Sequence, residues 1–331
     1  MKEELMFAQF GRLFELTARM ASLTKLPCIH IVPAELVGRD VWEATEKDGV
    51  NEFNAMLGAA ASSIISRELQ TMFTLKSARE GLFPNRHEPL RIGVAGGQAT
   101  YFTIDGMPVL DAGSFKIKIA PLVIGSVPQH RYSAGANAEM MASKITYQAT
   151  DPGMPTIKRF ASVDGIEEWS EEGMSSYNVK IRQDILKERT GLGLELTGFF
   201  DLDYVLVGIG QHSNEKHLVT NLSEHIKTLY NGKAPDDLMG DVCSRLFNSK
   251  GNEIDYDRQD RFVTISFRAL ELLVQRKTPV IAVAGGLSKV KAINTIAVVR
   301  NSPHSIINGL ITDELTAMQL LNINSRGHGY C

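Results

Sequence analysis

The sequence predicts an α/β fold: a mostly parallel sheet covered on both faces by helices, in three layers. Three observations carry that prediction. From Tyr204 onward, apolar runs (YVLVG, FVTIS, VIAVA, SIINGLI) alternate with helix-patterned segments, as expected for strands buried on both faces. Several of these runs, and one upstream, end in glycines. The chain has 331 residues, 44% of them apolar, with no internal repeat or low-complexity tract, enough to fill one large core.

The elements follow in order. Leu5–Met20 spaces apolar residues helically, with Met6, Phe10, Leu13 and Met20 near one face, so residues 1–25 are expected to form a helix that packs on the body or on a second subunit. No second helix follows at tight-turn distance, which argues against a DNA-recognition helix and leaves no helix-turn-helix. Residues 26–331 then read as one domain. Cys28–Val32 is the first strand. A charged segment, Gly38–Asp48, leads to a long helix over about Asn51–Leu75, whose AMLGAAASSII predicts close helix packing. Leu90–Ala95 is a buried strand broken by Gly96-Gly97. Phe115–Ile124 is another strand, and Ala134–Ala149 is a helix capped by Ser133. Asp151–Phe200 is a long connection, acidic over Glu167–Glu172, carrying one or two short helices. After Tyr204–Gly208 come helices at about Glu215–Asn231 and Gly240–Phe247. The FVTIS strand, a helix, and VIAVA follow. A helix to about Arg300, the SIINGLI strand, a helix over Asp313–Leu321 and a flexible tail complete the chain.

Composition excludes several functions. A formal net charge of -3 with scattered basic residues disfavours direct nucleic-acid binding, which rests on phosphate neutralisation. The three cysteines (Cys28, Cys243, Cys331) share no metal spacing and fit a reducing, cytoplasmic setting, with Cys28 and Cys243 read as core thiols. No signal-peptide pattern occurs, and no run approaches the ~18 apolar residues of a membrane span. His212 and His217 make a poor helical metal pair, so no metal is expected. Neither a phosphate-loop lysine motif nor a complete G-x-G-x-x-G is present, so no nucleotide cofactor is expected. G-x-S-x-G is absent too.

In open α/β sheets, ligands gather at the carboxyl ends of the strands. The candidates there are Gly96, Gly97, Gln98 and Thr100, then Gly210, Asp241, Gly286 with Lys289, and Asp313 with Glu314. VIAVAGGLSK joins strand, glycine turn and helix start, which presents bare N–H groups and a helix dipole to an anion, and Lys289 adds a full charge. Gly96 and Gly97 can cradle a phosphate, with Gln98 and Thr100 as side-chain donors. Asp241 can accept sugar hydroxyls or serve as a helix cap. Arg131 borders the Ser133 cap and can face the pocket.

VLVGIG, GDVCSRLFNSKGN, VIAVAGGLSKVKAI and NGLITDELTA, in that order, resemble the sugar-binding domain of SorC/DeoR-type bacterial transcriptional regulators. VAGGQAT and PLVIGS fit the same pattern upstream, so the likeness spans about Pro27–Leu321. The resemblance implies a Rossmann-like, phosphosugar isomerase-like fold, a sugar or sugar phosphate as effector, and a homo-oligomer, dimer or tetramer. The residues it carries over are Gly96, Gly97, Gly210, Asp241, Gly286, Lys289, Asp313 and Glu314. DNA is a partner only through a separate N-terminal domain. In the family the first glycine turn commonly continues Gly-Arg-Thr or Gly-Thr-Thr; here Gln98-Ala99 stand there, which removes a donor. Three readings compete: a sensor of sugar phosphate, an isomerase or deaminase using Asp241, Asp313 or Glu314 as general base, and a scaffold whose pocket is vestigial. The regulator-type motifs favour the sensor.

Overall fold

Continuous apolar strands demand cover on both faces, and the chain supplies it. The computed structural model describes residues 2–37, 42, 47–82, 89–125, 131–149, 157–163, 202–211, 237–254, 262–301 and 303–326. Helix α1 (Lys2–Thr24) leads into β1 (Cys28–Val32), the short α2 (Ala34–Val37) and the 36-residue α3 (Lys47–Leu82). Strand β2 (Leu90–Val94) ends at a glycine bend that opens α4 (Gln98–Asp105). Next come β3 (Leu110–Asp111), β4 (Ile117–Pro121), β5 (Val123–Gly125), α5 (Ala134–Lys144), β6 (Ile145–Ala149), β7 (Ile157–Phe160) and β8 (Ser162–Val163). The C-terminal half adds β9 (Tyr204–Gly208), β10 (Gly210–Gln211), β11 (Leu238–Val242), β12 (Arg245–Asn248), β13 (Phe262–Thr264) and α6 (Phe267–Gln275). Strand β14 (Val280–Val283), α7 (Val290–Asn294), β15 (Gly309–Asp313) and α8 (Glu314–Arg326) follow.

Seven strands pair in parallel in the order β1-β15-β14-β9-β2-β4-β8. The result is the Rossmann-like sandwich the sequence predicts. All five residues of β15 and all four of β14 are buried. On α3, Phe53, Leu57, Ala61, Ile65, Leu69 and Phe73 recur every fourth residue and are all buried. Each large one contributes roughly 1.5–3 kcal/mol by leaving water. The Ala-rich stretch does allow close packing: a Cβ on Gly58 would sit 2.6 Å from Phe102 Cβ on α4. Helix α1 rests on β1 and α8 through Leu16 and Met20. Among the described residues, no helix is long and apolar enough to cross a membrane.

Several expectations need correction. Gly240–Phe247 is a β-hairpin, not a helix: Val242 pairs with Arg245, and Cys243 and Ser244 between them both have positive φ, 52° and 60°. That is a two-residue turn of the kind glycine or asparagine usually marks; without either, the sequence disguises it. The helix begun at Ala134 stops at Lys144 because Ile145-Thr146-Tyr147, β-branched and aromatic, continue as β6. Phe115–Ile124 is two strands split at Leu122, and β13 of FVTIS pairs antiparallel with β5 outside the main sheet. SIINGLI becomes a strand only at Gly309, where a Cβ would lie 2.2 Å from Ile281 Cδ1. Phe10, placed on the packing face by spacing, is 63% exposed on the single chain, so it does not pack on the body; the second-subunit alternative is untouched by this. The tail continues α8 to Arg326. The Glu167–Glu172 cluster, the helix at Glu215–Asn231, His212, His217 and Cys331 lie outside the described residues.

Candidate functional site

The chain runs outward from β2 to β4 and β8, then returns to β9 and proceeds the other way through β14 and β15. The sheet therefore reverses its winding between β2 and β9, and the carboxyl ends of strands at such a reversal are where open α/β sheets bind ligands. The bend after β2 is built for close approach. Gly97 has φ +107°, which an L side chain rarely adopts. Its N–H donates to the Tyr132 carbonyl at 2.7 Å. A Cβ on Gly96 would meet Tyr132 O at 3.0 Å and Ala134 N at 3.1 Å. Ser133 caps α5 as the sequence predicts, its hydroxyl accepting from Ala136 N at 3.1 Å, and Asn137 donates to Ala95 O at 2.9 Å.

A second glycine turn follows β14. Gly286 (φ +92°) donates its N–H to Asp313 Oδ2 at 3.2 Å and to Thr316 Oγ1 at 2.9 Å. One 3₁₀ turn, Leu287–Lys289, then delivers the lysine. Lys289 Nζ donates to Asn54 Oδ1 at 3.1 Å, and Asn54 Nδ2 donates to Gln98 Oε1 at 2.9 Å. Gln98 Nε2 in turn donates to Asn51 Oδ1. This polar chain joins the two glycine turns, so Gly96, Gly97, Gln98, Gly286 and Lys289 share one rim.

Asp241 reaches the same rim from the hairpin. It pairs with Gly210 across β10 and β11, and a Cβ on Gly210 would fall 2.0 Å from Asp241 Oδ1. Burial lowers the pKa of Lys289 from its ordinary value to about 8, while Asp241 works in the opposite sense and favours the ammonium. Thr100 lies beneath the rim. It is fully buried, and its hydroxyl has no hydrogen-bond partner among the described residues. A Cβ on Gly208 would stand 3.5 Å from it. Arg131 is exposed at the flank, its guanidinium 5.0 Å from the Tyr101 ring centre and 4.8 Å from that of Tyr132.

The two acids of the last motif are differently placed. Asp313 is 1% exposed and clamps the second glycine turn to α8: Oδ1 accepts from Thr316 N at 2.8 Å while Oδ2 takes the Gly286 N–H. Burial raises its pKa, and the Thr316 and Gly286 bonds oppose the rise. Glu314 faces α1 and α2. Arg12 Nε lies 2.9 Å from Glu314 Oε1, and Ala34 N donates to Glu314 Oε2 at 3.1 Å. Asn51 and Asn54 are rim residues that sequence reasoning misses. They stand three apart on one helix face, but nothing in the α3 sequence separates them from solvent-facing asparagines.

Residues 181–322 match the model of a family described as "Putative sugar-binding domain". No curated protein sequence matches the chain. Among solved structures, a transcriptional regulator from Streptococcus pneumoniae TIGR4 is similar at 19% identity and TM-score 0.58, covering 95% of this chain and 98% of that one. The full-length sorbitol operon regulator SorC from Klebsiella pneumoniae is similar at 17% identity and TM-score 0.57, covering 94% and 81%. A DeoR family transcriptional regulator from Listeria monocytogenes is similar at 15% identity and TM-score 0.57, covering 93% and 99%. At such identities the solved structures show a shared fold. Residues 181–322 are thus similar to a sugar-binding domain family, and the fold is one that the chain shares over nearly its whole length with the SorC and DeoR family transcriptional regulators among those structures.

Proposed function

We propose that the chain is an effector-sensing module that binds a small sugar phosphate, without turning it over, at the rim formed by the two glycine turns and the Asp241 hairpin. The observation that supports this most is the chain Lys289–Asn54–Gln98, which holds a cation and side-chain amides between the two glycine turns. In this reading the phosphate takes the N–H groups after Gly97 and Gly286 together with Lys289. Asp241 and the Thr100 hydroxyl serve the sugar end, and Arg131 closes the flank. Binding is favoured over catalysis because Asp313 spends both oxygens on backbone N–H groups and Glu314 is bound by Arg12 and Ala34. Both are committed to structure, and Asp241, the third candidate base, acts in this reading as an acceptor for the sugar. Such a ligand regulates by binding two states of an oligomer unequally. DNA, in the same reading, is met through a separate helix-turn-helix domain.

The test is calorimetry with pentose and hexose phosphates and their unphosphorylated analogues. Lys289→Ala is expected to weaken the phosphorylated ligand about a hundredfold, as for a lost charge-assisted contact of ~3 kcal/mol, and the analogue less than about threefold. Equal losses would reject the assigned role of Lys289. Steady conversion of a bound ligand, followed by NMR, would replace the sensor with an enzyme.

A further inference from the structure

A second site stands at the other end of the sheet. Around the amino ends of β1, β9 and β14 lies a cavity of about 1530 Å³, and Cys28, His30, Glu68 and Tyr204 are in its wall. Cys28 and His30 alternate along β1, so their side chains emerge on one face; Glu68 comes from α3. Cys28 Sγ, His30 Nε2 and one Glu68 oxygen all lie within 4.8 Å of one another, and no other such trio occurs among the described residues.

The spacing is compatible with a shared metal ion. Sγ to Nε2 is 3.4 Å, Nε2 to Oε1 is 3.2 Å and Sγ to Oε1 is 3.6 Å. A tetrahedral zinc ion with bonds of ~2.3 Å to sulfur and ~2.1 Å to nitrogen and oxygen sets those separations at ~3.6, ~3.4 and ~3.6 Å. All three agree to about 0.2 Å, and without an ion the same contacts serve as hydrogen bonds and a His30–Glu68 ion pair. The trio is not a nucleophile–base–acid relay, because that arrangement uses the two ring nitrogens in opposite directions. Here a single nitrogen, Nε2, faces both the thiol and the carboxylate. Support lies behind the trio as well: Tyr204 OH donates to the other Glu68 oxygen, Oε2, at 2.7 Å, an outer-shell bond that fixes the carboxylate. A thiolate and a carboxylate together balance a dication, and sulfur with imidazole suits zinc above the hard cations.

We propose that Cys28, His30 and Glu68 bind a zinc ion, with Tyr204 as the positioning residue and the fourth coordination place open to the cavity. Lys25, Arg67 and Lys277 also line that cavity, so a ligand completing the shell from there meets positive charge. The proposal is independent of the sugar-phosphate reading, and its test reads metal alone.

The full chain, reduced and stripped with a chelator, is titrated with zinc by calorimetry and with cobalt by absorbance. One ion per chain is expected, with a thiolate-to-cobalt charge-transfer band and the intense visible bands of four-coordinate cobalt. Cys28→Ser should abolish the charge-transfer band and weaken zinc about a hundredfold or more; Tyr204→Phe should weaken it about tenfold while leaving the band in place. Cys243→Ser, at a buried thiol in the β11–β12 turn, should change neither. Failure to take up one equivalent, or a band that survives Cys28→Ser, overturns the site. Alkylation of the unmodified chain, mapped by mass spectrometry, needs no variant. Zinc should slow modification of Cys28 at least about tenfold; an unchanged rate is equally fatal.

Discussion

Lys289 is an ammonium held where burial disfavours its charge, with a pKa of about 8. Its ordinary value is about 10.4, so between the two the unfolded chain binds a proton there that the folded chain lacks. Stability of the free protein therefore rises with pH across that window, by linkage. Affinity for a phosphorylated ligand runs the other way: level from pH 7 to about 8, then falling as the charge must be regained on binding. Calorimetry and urea melts at pH 7, 8, 9 and 10, with Lys289→Met as the reference, separate the two trends; an affinity unchanged to pH 9.5 contradicts the assigned environment. The glycines divide just as sharply. Gly97→Ala meets no atom within 4 Å, so its cost to folding is backbone strain, ~1–2 kcal/mol in a urea melt. Gly210→Ala drives a methyl group into Asp241 Oδ1 and is expected to cut ligand affinity at least about tenfold by displacing that carboxylate. Full ligand affinity in Gly210→Ala would contradict the role given to Asp241.

At the scale of elements, what the sequence reveals depends on whether a segment's partner is near or far along the chain. Strands β2, β9 and β14 are legible because burial on both faces needs an unbroken apolar run, whoever the neighbours are. The β11–β12 hairpin is not, because its turn residues Cys243 and Ser244 carry positive φ without glycine. The rim is half legible: both glycine turns and Lys289 announce themselves. Asn54, which links them, is 235 positions from Lys289 and carries no local mark. Glu314 shows the opposite failure. Its place in the TDE motif implies ligand contact, yet its carboxylate, with 3% of the side chain exposed, ties α8 to α1 through Arg12. Arg12→Ala should then cost about 1–2 kcal/mol in a urea melt: among the described residues the carboxylate keeps the Ala34 N–H, and Arg12, 56% exposed, gives a screened pair. Glu314→Gln in that background should recover part of the loss. Additive losses would mean the tether carries no energy.

Across the whole molecule, the sheet separates two polar centres and α3 touches both. Asn54 meets the carboxyl-end rim and Glu68 meets the amino-end trio, about 21 Å apart at ~1.5 Å rise per residue. A five-residue strand spans a similar ~17 Å, so α3 runs the depth of the sheet as a strut. Its every-fourth-residue buried stripe, Phe53 to Phe73, advances around the helix by ~40° per step. One helix can thus keep a core contact along its length while turning different polar residues toward each end. Energetic coupling between distant sites is carried by an element with two arrangements, and a strut packed this tightly is expected to keep one. Cys28→Ser is therefore expected to leave sugar-phosphate affinity within about twofold of the unmodified chain. The unfolding costs of Cys28→Ser and Lys289→Met should add in the double variant to within ~0.5 kcal/mol, as for independent sites. A departure above ~1 kcal/mol, or an affinity that follows the state of Cys28, would instead make α3 a two-position element carrying information from one end of the sheet to the other.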